Sequence, residues 1–412
     1  MRGGPTVSGN VRRTRGRFAV PLLVALVALA ACAPLPPDDF YTPPDPLPSG
    51  SPGDVIRWRE SDFAVDPVLG VTPPGVRSYQ VLYRSTDSLG QAVAVSGTVL
   101  VPGTPWLGLG DRPIVGYAVG TRGLGDSCAP SRTLAEGTDY EGAFVASLLT
   151  AGYAVAVTDY EGLGTPGQHT YMVGASQGHA VLDAVRAAQR LEPAGLSPRA
   201  PVALVGYSQG GSGAGWAAQL AASYAPELRV RAAAIGGVPA DLTRVAEFLD
   251  GGPFVGFALM AALGMDAEYP ELRLDDFLND RGRELKREAE SVCLVSVDGF
   301  STFLQTAFSR LEDYTVSDPL ETPQWKARLA QQKLGAQAPR FPVYQYHGAI
   351  DEIIPLDQAR ALRDSWCRAG ASVTFETIPL AEHLLGMVEG FPKALGWLSA
   401  RLAGIPAATG CS

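Results

Sequence analysis

Short apolar runs alternate with amphipathic stretches over most of the chain. Runs rich in valine, isoleucine, alanine and tyrosine predict strands at 78–84, 92–101, 113–119, 153–158, 202–206, 231–236, 342–347 and 373–378. Several of these runs are almost uninterrupted, which is typical of strands buried on both faces of a parallel sheet. Apolar residues at helical spacing predict helices at 137–151, 176–191, 211–224, 356–369 and 391–403. The alternation predicts an α/β fold with a doubly wound, mostly parallel sheet.

The alternation stops between about 240 and 338, where helical segments are predicted near 242–250, 254–264, 281–290 and 299–311. Because strands precede and follow this stretch, we expect a mostly helical cap inserted between two parts of the core, 55–239 and 339–412. Ligand sites favour the junction between domains, which favours a cap over the alternative, a separate helical domain with no catalytic part.

The first 31 residues are predicted to be a signal peptide. Arg12, Arg13, Arg15 and Arg17 precede an apolar stretch at 18–31, which is too short to span a bilayer comfortably. Cys32 follows small residues directly, as in bacterial lipoprotein signals, where the cysteine becomes the acylated N-terminus. The alternative is an ordinary secretory signal cleaved after Ala31. The sequence favours the lipoprotein, and therefore an extracytoplasmic protein anchored to the membrane by lipid.

A proline-dense stretch at 32–54 is predicted to be a tether between the lipid and the folded core. Phe40 and Tyr41 stand out within it, because a pure linker has no use for aromatic side chains. We expect these two residues to pack on the core.

Charge and cysteine content narrow the class of protein. The chain has 33 basic and 42 acidic residues with no basic run beyond the N-terminus, which argues against a nucleic-acid partner. If Cys32 carries lipid, Cys128, Cys293, Cys367 and Cys411 remain, an even number in an oxidising compartment. Three pairings of these four are possible. No metal-ligand spacing, phosphate loop or dinucleotide fingerprint is present, so neither a metal nor a cofactor is predicted.

The pentapeptide 206–210, GYSQG, lies between the apolar run 202–206 and a helix of small residues. A serine hydroxyl is a weak nucleophile unless it is exposed, aligned with a base and close to groups that bind an oxyanion. A sharp turn from strand to helix provides that setting, and the flanking glycines allow the backbone to turn tightly. Ser208 is therefore predicted to be a nucleophile.

The base and the acid are expected after the serine, in the order Ser, acid, His. Of the four histidines, His169 and His179 precede Ser208, and His347 ends a strand, where a structural role is expected. His383, on a loop after the final strand, is the predicted base. Asp351 follows the preceding strand and a glycine turn, and is the predicted acid, with Glu352 as the alternative.

An oxyanion hole requires two donors. The backbone N–H of Gln209, directly after the nucleophile, is the first predicted donor. The second is expected from the glycine-flanked loop 120–123, at Thr121 or Arg122.

The chain resembles the lipase A-like secretory lipase family, a branch of the α/β-hydrolase superfamily. The resemblance rests on 40–44 (FYTPP), 128–131 (CAPS), 159–162 (DYEG), 206–210 (GYSQG), 223–228 (SYAPEL), 248–254 (FLDGGPF), 351–355 (DEIIP) and 381–383 (AEH). It implies an α/β-hydrolase core with a helical cap, hydrolysis of acylglycerols and related esters, and no cofactor. It places the triad on Ser208, Asp351 and His383, and implies disulfides Cys128–Cys293 and Cys367–Cys411.

The chain departs from the family pattern at two places. The family has an acidic residue where ungapped counting back from Cys128 reaches Arg122, which leaves the second oxyanion donor open between Thr121 and Arg122. The family also has a C-terminal tail that covers the site as a flap, whereas this sequence ends at Ser412. The sequence therefore does not decide whether a flap covers the site or whether the enzyme shows interfacial activation. Esters of smaller acids are an alternative substrate.

The sequence thus predicts a lipase or carboxylesterase. An acyltransferase or a peptidase is possible on the same triad, because a triad does not fix the acceptor. A non-catalytic lipoprotein that binds apolar ligands is the third alternative, and the presence of all three triad residues argues against it.

Overall fold

One sheet of nine strands organises the part of the chain that the structure describes. The structure is a computed structural model and describes residues 1, 3, 39–66, 73–408 and 410–411. Apart from Met1 and Gly3, the predicted signal peptide lies outside the described residues, as does Cys32. The folded body begins at Asp39.

The strands run β1 to β9 along the chain. Their bounds are Val55–Ser61, Arg77–Thr86, Ala92–Val101, Ile114–Ala118, Ala154–Thr158, Pro201–Tyr207, Arg229–Gly236, Val343–Gly348 and Val373–Ile378. The order across the sheet is β1-β2-β3-β5-β4-β6-β7-β8-β9. Pairing is antiparallel from β1 to β5 and parallel from β5 to β9. The predicted doubly wound, mostly parallel α/β sheet is therefore confirmed.

Burial explains the uninterrupted apolar runs of the central strands. Every residue of β4 and β5 is buried, which gives the uninterrupted apolar runs. Eight of the nine strands were predicted. The strand that was not predicted, β1, lies at an edge of the sheet and is only partly buried, with charged residues in its sequence VIRWRES. It carries no long apolar run, and the apolar pattern therefore does not predict it.

Eleven α-helices, α1 to α11, lie in the described part of the chain. Their bounds are Pro130–Glu136, Gly142–Thr150, Gly174–Arg190, Gln209–Tyr224, Leu242–Leu249, Gly256–Glu268, Asp280–Ala289, Val297–Thr306, Pro323–Gln331, Leu356–Arg368 and His383–Leu402. The helices α3 and α4 pack side by side against the central strands, while α11 packs against β7 and β8. Phe144 of α2 contacts Phe391 of α11, with ring centroids 4.7 Å apart. None of the helices in this part of the chain combines the length and apolar content needed to cross a bilayer.

Five of these helices, α5 to α9, lie between β7 and β8, in the stretch 240–338, here called the insertion. Four of them correspond to the predicted helical segments, and α9 was not predicted. Apolar residues of the insertion form a second cluster that includes Leu263, Leu274 and Trp325, next to the loop residues Tyr171 and Met172 of the sheet body.

The two aromatic residues of the proline-rich stretch are buried, as expected. Phe40 and Tyr41 pack on Leu82 of β2, and the Tyr41 hydroxyl lies 2.9 Å from the Ser131 Oγ. The guanidinium of Arg132 lies over the Tyr41 ring, 3.7 Å from its centroid. The end of the predicted tether is therefore part of the folded body.

Two disulfides lie within the described residues. Cys128 is bonded to Cys293, which ties the sheet body to the insertion, and Cys367 is bonded to Cys411, which ties the C-terminal segment to α10. This is the pairing that the family resemblance implies.

Candidate active site

Ser208 lies at a sharp turn between β6 and α4. Its backbone has φ 59° and ψ −123°, a conformation that costs free energy for a residue with a side chain. The flanking glycines make the turn possible. A Cβ on Gly206 would lie 2.1 Å from the carbonyl oxygen of Gly210, and a Cβ on Gly210 would lie 2.1 Å from that of Ala118. The turn places the serine hydroxyl beyond the carboxyl end of the strand.

Three side chains from three separate segments of the chain meet at this point. His383 Nε2 lies 3.0 Å from Ser208 Oγ, and His383 Nδ1 lies 2.7 Å from Asp351 Oδ2. Ser208, Asp351 and His383 are separated by up to 175 residues in sequence, and the sheet brings them into hydrogen-bond distance. The arrangement has the geometry of a nucleophile, a base and an orienting acid.

Asp351 is held as an ionised carboxylate. Its Oδ1 accepts hydrogen bonds from the backbone N–H groups of Ile353 and Ile354, at 3.0 and 2.7 Å. Burial alone would raise the pKa of Asp351, but the hydrogen bond and charge of His383, together with His347 and Ile354, outweigh it and lower the pKa. The alternative acid, Glu352, accepts a hydrogen bond from the backbone N–H of His383 at 3.0 Å and so holds the main chain.

His383 is the first residue of α11, which corrects the prediction that it lies on a loop before a helix at 391–403. The helix contains Pro392 and several glycines, which weaken the helical pattern of its first half. Glu382 caps the helix by accepting hydrogen bonds from the N–H groups of Leu384 and Leu385. The Tyr207 hydroxyl donates to the His383 carbonyl at 2.6 Å, a contact that the sequence did not reveal.

The side chains of Thr121 and Arg122, the two candidates for the second oxyanion donor, have different surroundings. Thr121 lines the same cavity as Ser208 and Gln209. The Arg122 guanidinium instead forms a two-point ion pair with Asp139, at 3.0 and 2.7 Å, and lies over the Tyr140 ring. The Arg122 guanidinium is therefore engaged by Asp139 and Tyr140, and the side chain supports the loop.

A cavity of about 620 Å³ opens at Ser208 and extends under the insertion. It is lined at one end by Thr121, Ser208 and Gln209. Its other walls are mainly apolar side chains of the insertion, among them Leu242, Leu263, Leu274, Leu278, Trp325 and Leu329. The size and lining are those of a site for an apolar ligand with a polar end.

Another group of side chains lies where the insertion meets the sheet body. Asp87, Glu161 and Glu268 place carboxylate oxygens within 4.8 Å of one another. Burial, followed by the nearby charge of Glu161, raises the pKa of Glu268 to about 7. Like charges at this distance repel, so the group favours a bound proton.

The doubly wound sheet and the strained serine at its carboxyl edge define an α/β-hydrolase, and comparisons with known proteins agree. The secretory lipase model matches residues 128–410. The chain therefore belongs to the secretory lipase family, and it is a hydrolase of the lipase and esterase class.

Relatives and solved structures support this assignment. The chain is 32% identical to Lipase 6 of Candida albicans, over 93% of this chain and 85% of that protein. It is also 32% identical to a Mycobacterium tuberculosis protein described as a probable inactive lipase, over 90% and 83%. The structure is similar to that of Candida antarctica lipase A in its closed state, with a TM-score of 0.79 and 27% identity, over 92% and 89%.

Proposed function

We propose that this protein hydrolyses carboxylic esters of the acylglycerol type through an acyl-enzyme on Ser208. The observation that carries the proposal is the continuous hydrogen-bonded chain from Ser208 Oγ through His383 to Asp351. The family membership supports a lipid ester as the substrate.

In the first half of the reaction, Ser208 Oγ attacks the ester carbonyl carbon while His383 Nε2 takes the hydroxyl proton. The resulting oxyanion accepts hydrogen bonds from the Gln209 N–H and from Thr121. The tetrahedral intermediate then expels the alcohol oxygen, which takes the proton from His383, and the acyl group stays on Ser208. Asp351 remains ionised and stabilises the imidazolium that forms.

In the second half, a water molecule attacks the acyl carbon and His383 takes one of its protons. Collapse of the second intermediate returns that proton to Ser208 and releases the carboxylic acid. An acyltransferase would use an alcohol in place of the water, with the same residues.

The insertion is proposed to act as a cap that supplies the acyl pocket. Support comes from the cavity, whose wall opposite Ser208 is built from leucines and a tryptophan of the insertion. Removing an acyl chain from water stabilises its binding by about 0.8 kcal/mol for each methylene group buried.

A serine-directed probe tests the proposal. A fluorophosphonate should label the wild-type protein and fail to label Ser208→Ala. The variant should hydrolyse p-nitrophenyl esters at least ~10³-fold more slowly while keeping its melting temperature. A series of acyl chain lengths on the wild type separates a lipase from an esterase of smaller acids. Unchanged hydrolysis by Ser208→Ala would contradict the proposal, and the absence of both labelling and hydrolysis in the wild type would favour a non-catalytic binding protein.

We also propose that the protein is exported and anchored by lipid at Cys32. The support is the sequence, in which four arginines, an apolar stretch and Cys32 follow one another within 12–32. Two or three acyl chains hold a protein firmly at a membrane, whereas one does not. Cys32→Ser should move the protein from the membrane fraction to the medium. An unmodified residue at the mature N-terminus in mass spectrometry would contradict the anchor.

A further inference from the structure

His169 lies buried beside the proposed oxyanion hole. Its Nε2 is 3.2 Å from Nε2 of the Gln209 side chain, and its Nδ1 is 2.7 Å from the backbone carbonyl oxygen of Glu161. A carbonyl can only accept, so His169 Nδ1 carries a hydrogen. The amide nitrogen of Gln209 can only donate, so His169 Nε2 accepts. The imidazole is thus neutral, with its proton on Nδ1.

The surroundings of His169 maintain that state. The ring is fully buried and lies between the rings of Tyr160 and Tyr171, whose centroids are 6.1 and 5.9 Å away. Burial lowers the pKa of His169 to about 4. At neutral pH the ring therefore offers Gln209 a lone pair, which orients its amide.

The same segment holds the other side of the hole. Tyr171, two residues after His169, places its hydroxyl 2.8 Å from the Thr121 Oγ1. Tyr160 donates from its hydroxyl to the carbonyl oxygen of Val119, at 2.9 Å, just before the loop that contains Thr121. The segment 160–171, between β5 and α3, thus contacts both the side chain of Gln209 and the loop that contains Thr121.

The insertion rests on this segment. At Gly264 of α6, an added Cβ would lie 2.3 Å from the carbonyl oxygen of Tyr171 and 2.4 Å from its nitrogen. The helix therefore touches the Tyr171 backbone with no side chain between them. A shift of α6 would be transmitted to Tyr171 and from there to Thr121.

From these contacts we propose that His169 and Tyr171 are positioning residues of the oxyanion hole, His169 through the side chain of Gln209 and Tyr171 through the hydroxyl of Thr121. The inference rests on the proposed function, because it assigns a role relative to the oxyanion of that reaction. His169 is not among the residues that line the cavity at Ser208, whereas Tyr171 lines it beside Thr121.

The expected effect follows from geometry. The backbone N–H of Gln209 begins α4 directly after the strained Ser208, and the residue is 2% exposed. Without an acceptor at His169, the buried amide must find another partner, and the peptide that carries the N–H moves with it. Loss of a whole oxyanion donor costs about 10²–10³-fold in kcat, so a misaligned donor should cost about 10- to 100-fold.

Two substitutions of His169 separate positioning from packing. His169→Phe keeps a ring of similar size and removes the acceptor, whereas His169→Gln restores a carbonyl oxygen near the position of Nε2. We expect His169→Phe to lower kcat on p-nitrophenyl butyrate about 10- to 100-fold with little change in KM, and His169→Gln to recover most of that loss. An alkyl boronic acid, whose tetrahedral adduct mimics the oxyanion, should bind His169→Phe more weakly by a similar factor.

His179→Phe is the matched control. His179 is a largely buried histidine that stacks on Tyr224, and its Nδ1 bonds to the Thr86 carbonyl, away from Ser208. Wild-type kcat in His169→Phe, or a fall in kcat with unchanged boronic acid affinity, would overturn the inference. If His169→Phe does not fold, Tyr171→Phe, which lacks one hydroxyl, decides by the same two measurements. Ser208→Ala is assayed in parallel: if it stays active the proposed function fails, and if it is inactive only the positioning role is judged.

Discussion

Gly123 and Cys293, which are 170 residues apart in sequence, pair as an isolated antiparallel β-bridge. The next residue, Leu294, donates its N–H to the carbonyl oxygen of Arg122 at 2.8 Å, and the Cys128–Cys293 disulfide lies beside the bridge. The insertion is therefore joined by backbone hydrogen bonds to the loop that carries Thr121, and by a disulfide to Cys128 just after it.

Removal of the Cys128–Cys293 disulfide is expected to lower both stability and long-chain activity. The bond joins residues separated by 165 positions, for which the chain-entropy account gives about 5 kcal/mol. Because the insertion supplies the apolar wall of the cavity, Cys128→Ser with Cys293→Ser should lower hydrolysis of long-chain esters more than hydrolysis of acetate esters. Melting curves and an acyl-chain series measure the two effects.

Cys367→Ser with Cys411→Ser is the matched control, because that disulfide joins the C-terminal segment to α10 and has no residue in the cavity wall. It should lower the melting temperature and leave the chain-length preference unchanged. An equal loss of long-chain preference in both double variants would contradict a specific role of the first disulfide.

Substitution of Asp351 tests which carboxylate orients the base. Asp351→Asn keeps the size of the side chain but removes the charge that faces His383 Nδ1, so kcat should fall by about 10³–10⁴-fold. Glu352→Gln is the control, because its remaining carbonyl oxygen can still accept from the His383 backbone N–H. Activity near wild type is expected there. Retention of more than about a tenth of the activity by Asp351→Asn would exclude it as the orienting acid.

The sequence predicted the sheet and the three meeting side chains because these depend on local pattern and chain order. Apolar runs identify β4 to β6, the glycines around Ser208 identify the turn, and His383 is the one histidine that follows the last predicted strand. None of these inferences requires the direction of a side chain.

Features that the sequence could not predict depend on long-range contacts. Thr121 lines the cavity at Ser208, whereas the guanidinium of Arg122 pairs with Asp139, 17 residues away in sequence. His169 precedes Ser208 and is excluded as the base by order, yet it contacts Gln209, 40 residues away. No local pattern marks either pair.

The carboxylate cluster predicts how stability changes with pH. The folded state raises the pKa of Glu268 from its ordinary 4.5 to about 7, first through burial and then through Glu161, with Asp87 adding to the effect. The folded state therefore binds this proton more tightly than the unfolded state. The associated stability is present below about pH 4.5 and is lost as pH rises through 7.

Glu268→Gln should remove that loss. The amide keeps an oxygen that can accept from the Ser88 N–H, which now bonds to the Glu268 Oε1 at 2.8 Å, and it carries no charge to repel Asp87 and Glu161. The variant should melt at a higher temperature than the wild type at pH 8, with the two converging near pH 4. Glu271→Gln, on the surface beside Arg328, is the control and should show no such gain. A lower melting temperature for Glu268→Gln at pH 8 would contradict the argument.

Exposed apolar side chains lie on the helices α8 and α11. On α8, which starts four residues after Cys293, Val297 and Phe300 are 86% and 62% exposed, and Leu304 follows on the same face. On α11, Leu384 and Val388 closely follow the catalytic candidate His383 and are exposed as well. The segments 295–308 and 380–388 contain no lysine or arginine. A neutral lipid surface suits this composition better than an anionic one.

We therefore expect Phe300→Ser with Leu304→Ser to lower hydrolysis of an emulsified triacylglycerol by about tenfold or more, because full burial of each apolar side chain in lipid contributes about 1.5–3 kcal/mol. Hydrolysis of dissolved p-nitrophenyl acetate should stay unchanged, since neither side chain contacts Ser208. Leu107→Ser with Leu109→Ser is the control. These leucines are 94% and 97% exposed, but they precede β4 and so lie at the amino ends of the parallel strands, whereas Ser208 lies at the carboxyl ends. If both double variants lose emulsion activity equally, or if neither does, the α8 face does not adsorb to the substrate surface.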